Sequence, residues 1–115
     1  MKSLIYSPDA LESLEHLKEY LNSNFGDKFA DNTLNRLTLE IRDLEMFPEI
    51  GAFVRDRYPV DTDYQFFYFR HNYVFYRVEK EYVRIIDIID ERADFMKKLF
   101  GIDSISPESL RYWHE

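Results

Sequence analysis

The chain contains no cysteine, which excludes disulfide staples, thiolate catalysis and cysteine-ligated zinc. That absence accords with a reducing cytoplasm as the expected location. Three glycines and four prolines among 115 residues leave little room for linkers or low-complexity tracts. One domain over residues 1–115 is therefore expected. No run is long and apolar enough for a transmembrane helix, and the start, MKSLIYSPDALE, is too polar for a signal peptide. No membrane association is expected. The three histidines, His16, His71 and His114, are scattered without metal-ligand spacing. Asp61-Thr62-Asp63 lacks the glycine of a calcium loop. Neither a metal nor a cofactor is expected.

What the chain does have is acid and aromatics. Net charge is −7, and residues 9 to 46 carry 4 basic and 9 acidic groups, whereas residues 55 to 98 carry 9 of each. Such acidity disfavours broad binding to phosphate backbones, whose affinity comes from lysine and arginine displacing counterions. Aromatic residues make up 17% of the sequence and cluster between Phe53 and Phe100, which points to aromatic packing on a small sheet.

Periodicity supplies the elements. KSLIY reads as a short strand. Ser7-Pro8-Asp9 starts a helix, with Ser7 as cap, Pro8 in the first turn and Asp9 against the dipole. Leu11, Leu14, Leu17 and Leu21 recur at helical spacing until NSNFG, residues 22–26, breaks the pattern. From Asp27, the stripe Ala30, Leu34, Leu37, Ile41, Leu44 marks a second helix, antiparallel to the first across so short a connection. Pro48 and Gly51 end this hairpin. After a polar loop to Asp63 the period becomes two. In NYVFYRV, Val74, Tyr76 and Val78 face one way and Tyr73, Phe75 and Arg77 the other. QFFYF before it and YVRIIDII after Glu79-Lys80-Glu81 complete a three-stranded antiparallel meander. The fold class is α+β: an N-terminal strand, a helical hairpin, the meander, then short C-terminal helices through MKKLFG and from Ser106-Pro107.

Helical hairpin, PEIG, YQFFYFRHNYVFYRV and YVRIIDIIDERADFMKKLF, in this order, resemble the RelE/ParE superfamily of bacterial toxin–antitoxin toxins. The resemblance covers about residues 2 to 100, leaving 101–115 as a C-terminal extension. It implies a compact sheet with an open concave face, and a cognate antitoxin as partner in a hetero-oligomer, with a homodimer as the alternative. It also implies one of two targets. RelE-like members cut messenger RNA on the ribosome without metal; ParE-like members poison DNA gyrase.

Metal-free RNA cleavage needs a general base, a general acid and cations for the phosphorane. The resemblance and the open face together nominate Arg92, Arg77, Tyr73 and His71 as catalytic candidates, with Arg70 and Arg84 nearby. Arg92 and Asp94 match the family's arginine–aspartate motif, which leaves room for a site in which Asp94 holds Arg92 in position. The departures are Gln65, Asp90, Glu91 and Ala93, each standing where relatives carry a basic, proton-transferring or glycine residue. A charge pair about 4 Å apart interacts by about 1 kcal/mol in water and about 4 kcal/mol at a dielectric of 20. Carboxylates around Arg92 therefore offset much of its pull on a phosphate. Tyr64, Tyr68 and Tyr73 are candidates to stack a base, and Tyr112, Trp113 and His114 to fold onto the open face. The expected function is a toxin cleaving messenger RNA on the ribosome. The alternatives are a gyrase inhibitor, or a catalytically silent binding module with the same fold.

Overall fold

A computed structural model of the chain describes residues 1–102. The expected helix from Ser106 and the residues Tyr112, Trp113 and His114 lie outside the described residues. Strand β1 (Ser3–Tyr6) leads into helix α1 (Pro8–Phe25) and helix α2 (Asp27–Arg42). Strands β2 (Ala52–Phe53), β3 (Gln65–Phe69), β4 (Asn72–Val78) and β5 (Tyr82–Asp90) follow, then helix α3 (Phe95–Phe100). Among the described residues no helix is long and apolar enough to cross a membrane.

Local chemistry sets most of these boundaries. Ser7 accepts a hydrogen bond from the Ala10 amide at the head of α1, with Pro8 in the first turn. Helix α1 runs on through NSNF and stops only at Gly26, whose φ of 90° lies in the region open to glycine. NSNFG is thus the last turn of α1, not a break, because Leu21 at its start still reaches the core. Leu11 is 55% exposed and Ala10 takes the buried position, while Leu14 and Leu17 pack at the core's edge. The stripe on α2 matches the expectation in Ala30, Leu37 and Ile41, and it continues to Leu44 in the single 3-10 turn Asp43–Glu45 that follows, all fully buried.

The meander is present, but it forms only part of a five-stranded sheet in the order β1-β5-β4-β3-β2. Strand β1 runs parallel to β5, and β2 lies within the stretch expected to be only a polar loop. Alternation in β4 also holds. Val74 and Tyr76 join Leu37, Ile41 and Ile85 under the helices, and Phe75 joins Val54, Phe66 and Ile89 on the other face. That second face is not open. Helix α3 lays Phe95 on Phe75, with ring centroids 5.1 Å apart, and Tyr58 meets Phe95 edge-on at 5.0 Å. Phe75 is fully buried and Tyr73 half-buried. Two apolar faces need two covers, and a sheet this rich in aromatics has no apolar side to leave to water.

The strap between α2 and β3 is tied to the sheet by polar groups. Tyr76, fully buried, donates its hydroxyl hydrogen to the Pro48 carbonyl at 2.7 Å and accepts from the Gly51 amide at 2.8 Å. Gln65 donates to the Gly51 carbonyl at 3.1 Å. Burial pushes the Tyr76 hydroxyl up to about 12, so it stays a donor at any pH the fold meets. Tyr76→Phe removes that donor and leaves the Pro48 carbonyl and Gly51 amide short of a partner. The expected loss is about 2 kcal/mol, read as a lower urea midpoint with unchanged slope.

Candidate functional site

The expected site residues cluster, where they cluster at all, around the turn between β3 and β4. Arg70 and His71 form its two central residues, both with positive φ (40° and 69°). That is the geometry of a tight hairpin turn usually given to Asn-Gly, and here the Asn72 side chain supports it by donating to the Arg70 carbonyl at 3.0 Å. Because Asn72 pairs with Asp90, the end of β5 is brought beside this turn. The Glu91 amide donates to the His71 carbonyl at 2.8 Å.

Three side chains meet there. His71 Nδ1 lies 2.7 Å from one Glu91 oxygen, and the Tyr68 hydroxyl donates to the other at 3.0 Å. The bond to His71, then that from Tyr68, holds the Glu91 carboxyl below its ordinary range. Tyr68 is raised, first by loss of surrounding water and then by Glu91. With Nδ1 engaged, the His71 ring remains largely exposed. The carboxylate partner of His71 was not legible, since nothing in sequence relates residue 71 to residue 91 until the β4–β5 register is known.

Arg92 lies one step further on and is already occupied. Its Nε and Nη2 donate to the two Asp90 oxygens at 2.9 and 3.0 Å, and its own amide donates to Asp90 Oδ1 at 2.8 Å. This paired geometry is the strongest way a guanidinium meets a carboxylate. Asp90 raises the Arg92 pKa further, and Arg92 in turn holds the Asp90 carboxyl below 3.8. The brace therefore contributes fully above that value and is lost only as pH falls below it toward the lowered one. Asp94, the expected holder of Arg92, instead accepts from the Lys97 amide and caps α3. The partner is Asp90 because a carboxylate two residues back can reach both the backbone and the fork of a turn residue.

Arg77 lies outside this cluster, and Tyr73 stands at its edge, its ring centroid 5.5 Å from that of Tyr68. Arg77 sits across from Arg84 and pairs with Asp63 at 3.2 Å. Five residues of strand, about 16 Å, separate it from Asn72 and the turn. Arg84 is engaged by Glu79 at 2.6 Å. Tyr73 packs edge-on against Phe66 at 5.8 Å, and Tyr64 packs on Phe100 at 5.7 Å. Of the three stacking candidates, Tyr68 stays most exposed. His16 lies exposed on α1, facing Glu12 at 4.0 Å. No group of three His, Cys, Asp or Glu among the described residues is placed to hold a metal ion.

Beside the turn lies a groove of about 500 Å³. Arg70, His71, Asp90 and Arg92 form its polar wall; Tyr20 and Phe25 of α1 and Phe29 of α2 form the other. Phe25 touches both neighbours, at 6.4 Å to Tyr20 and 4.9 Å to Phe29, yet all three rings stay about half exposed. The available signal was three aromatics at the hairpin tip that fit neither helix's apolar stripe.

Comparison with known proteins agrees with this architecture. The family model for the ParE toxin of type II toxin–antitoxin systems (parDE) matches residues 4–95. A solved structure, the chromosomal ParDE toxin–antitoxin system from P. aeruginosa, superposes with a TM-score of 0.66 at 16% identity, over 78% of this chain and 96% of that one. No curated protein matches the chain in sequence. The family match spans well over half of the chain, and the chain belongs to the ParE toxin family of type II toxin–antitoxin systems.

Proposed function

We propose that this protein is a toxin of the ParE kind, acting by binding a protein target, DNA gyrase, and restrained by a cognate antitoxin. The observation that carries this reading is the state of Arg92. Both oxygens of Asp90 already fill its fork, so it offers a phosphate little net attraction. Arg70 lines the same groove, but with the Arg92 fork filled the pair makes a weak electrostatic clamp for a phosphorane. Binding a protein needs no such clamp and tolerates an acidic exterior. The groove beside the aromatic tip, with one apolar and one polar wall, suits a segment of the antitoxin that orders as it docks.

Purified protein added to gyrase supercoiling reactions tests this. Wild type is expected to inhibit supercoiling, and Arg92→Ala to inhibit within about twofold of it, since the Arg92 side chain is spent on Asp90 and on Tyr20 of α1. Absence of inhibition by wild type at micromolar concentration would overturn the gyrase assignment. Messenger RNA cleavage remains the second reading because of one arrangement: Glu91 holds His71 at Nδ1 on a ring that is otherwise largely exposed, within reach of a substrate proton. Under that reading His71→Ala abolishes cleavage of ribosome-bound message.

A further inference from the structure

At the other end of the helical hairpin lies a second exposed apolar surface. Helix α2 places it about 24 Å from the aromatic tip. In the run Met46-Phe47-Pro48-Glu49-Ile50, Met46, Phe47 and Ile50 are 65%, 52% and 56% exposed. Three large apolar side chains in five residues, all more than half in water, exceed the scatter of single exposed residues found on any surface.

This knuckle is held in place. The Phe47 amide donates to the Asp43 carbonyl at 2.9 Å, and the Ile50 amide to the Phe47 carbonyl at 3.3 Å. Beneath, buried Tyr76 and Gln65 grip the Pro48 and Gly51 backbone. Buried polar groups thus fix a loop whose own apolar side chains point away from the core. Such rigidity lowers the ordering cost of binding and is what a contact surface requires. Its neighbours in sequence are mostly acidic: Asp43, Glu45 and Glu49 alternate with the three side chains, against Arg42 and Lys2, whose amide donates to the Glu45 carbonyl at 2.9 Å. An acidic rim excludes a phosphate backbone as occupant and selects a cationic one.

We propose that Met46, Phe47 and Ile50 form the contact by which this toxin engages its target, a protein surface with an apolar pocket and a lysine- or arginine-rich rim. The proposal rests on the reading of the protein as a target-binding toxin, and enzymes that handle DNA present surfaces of that sign. Apolar anchors inside a charged rim are the usual anatomy of a protein interface. A toxin with a separate antitoxin needs two contact regions, and the two exposed apolar surfaces lie at opposite ends of the hairpin.

The test compares wild type with Phe47→Ser/Ile50→Ser and with Glu49→Lys, the latter leaving the apolar surface intact. Survival after induction in bacteria and binding to immobilised purified gyrase are both measured. Each variant should melt within about 3 °C of wild type, because the side chains are exposed. The double variant should raise survival at least tenfold and bind gyrase at least tenfold more weakly, and Glu49→Lys should weaken binding severalfold. A double variant that melts like wild type and kills as well would overturn the proposal. Failure of wild type to bind gyrase, with survival still restored by the double variant, would remove gyrase as target and leave the knuckle as the contact surface.

Discussion

Gly51→Ala should lower the melting temperature by roughly 12 to 24 °C, the largest effect expected of any single methyl group in this protein. A methyl built on Gly51 meets the Phe66 carbonyl oxygen at 2.8 Å and the Tyr76 Cε1 at 2.8 Å, and it presses still closer on the Tyr76 hydroxyl. None of these atoms can give way cheaply. Phe66 belongs to a paired strand, and Tyr76 is fully buried with its hydroxyl committed to Pro48. Overpacking of this kind costs about 3 kcal/mol, and a domain of this size loses about 4 to 8 °C per kcal/mol. Glycine's conformational freedom is not the reason, since Gly51 has an ordinary extended backbone, φ −81° and ψ 157°. The requirement is for empty space. Thermal unfolding followed by circular dichroism reads the effect directly; a shift under about 4 °C would mean that the strap is not pinned as described.

Asp87→Ala should cost about 3 kcal/mol, from a carboxylate that serves three elements at once. Asp87 is 1% exposed. It accepts from Ser13 Oγ on α1 at 2.5 Å and from the Ile88 amide at 2.8 Å, and pairs with Lys98 on α3 at 3.2 Å. Its place in the sheet explains the need. Pairing with β4 slips between Phe75 and Tyr76, leaving Ile86 as an extra residue in β5. Strand β1 ends at Tyr6, so beyond Ile85 β5 has no strand neighbour on that side. Its backbone there is satisfied by side chains instead: Ser7 Oγ donates to the Ile86 carbonyl at 2.6 Å, and Asp87 takes the Ile88 amide. Truncation orphans the Ser13 hydroxyl and the Ile88 amide together, each costing about 1 to 3 kcal/mol. Lys98 adds little, being half exposed. Asp87→Asn keeps an acceptor and should cost about 1 kcal/mol. Urea denaturation of both variants separates the two contributions; equal losses would contradict the role given to the acceptor oxygen.

The hairpin and the meander were legible because they rest on local signals. Ser7-Pro8 caps, the α2 stripe steps by turns, and β4 alternates. What escaped were features that need a partner distant in sequence. Strand β2 is two residues long and exists only through its pairing with Phe66 and Gln65. Period-two alternation names two faces without saying that both are covered, and the Phe95 cover depends on where α3 docks. Gln65 read as a missing basic group, whereas its side chain closes the Tyr76 network. At the candidate site, sequence reasoning placed Arg92 among carboxylates and foresaw its neutralisation. It left room for Asp94 as the holder where the turn selects Asp90, and it gathered Arg77 with Arg92 because strand alternation carries no distance along the strand.

The measurement that bears most directly on this account follows thymidine and methionine incorporation side by side in the first minutes after induction. A target-binding toxin of the kind proposed here should halt thymidine incorporation while methionine incorporation continues. Arg92→Ala should behave as wild type does. An immediate collapse of methionine incorporation, relieved by Arg92→Ala, would contradict the account and make the turn around His71 and Arg92 a nuclease centre.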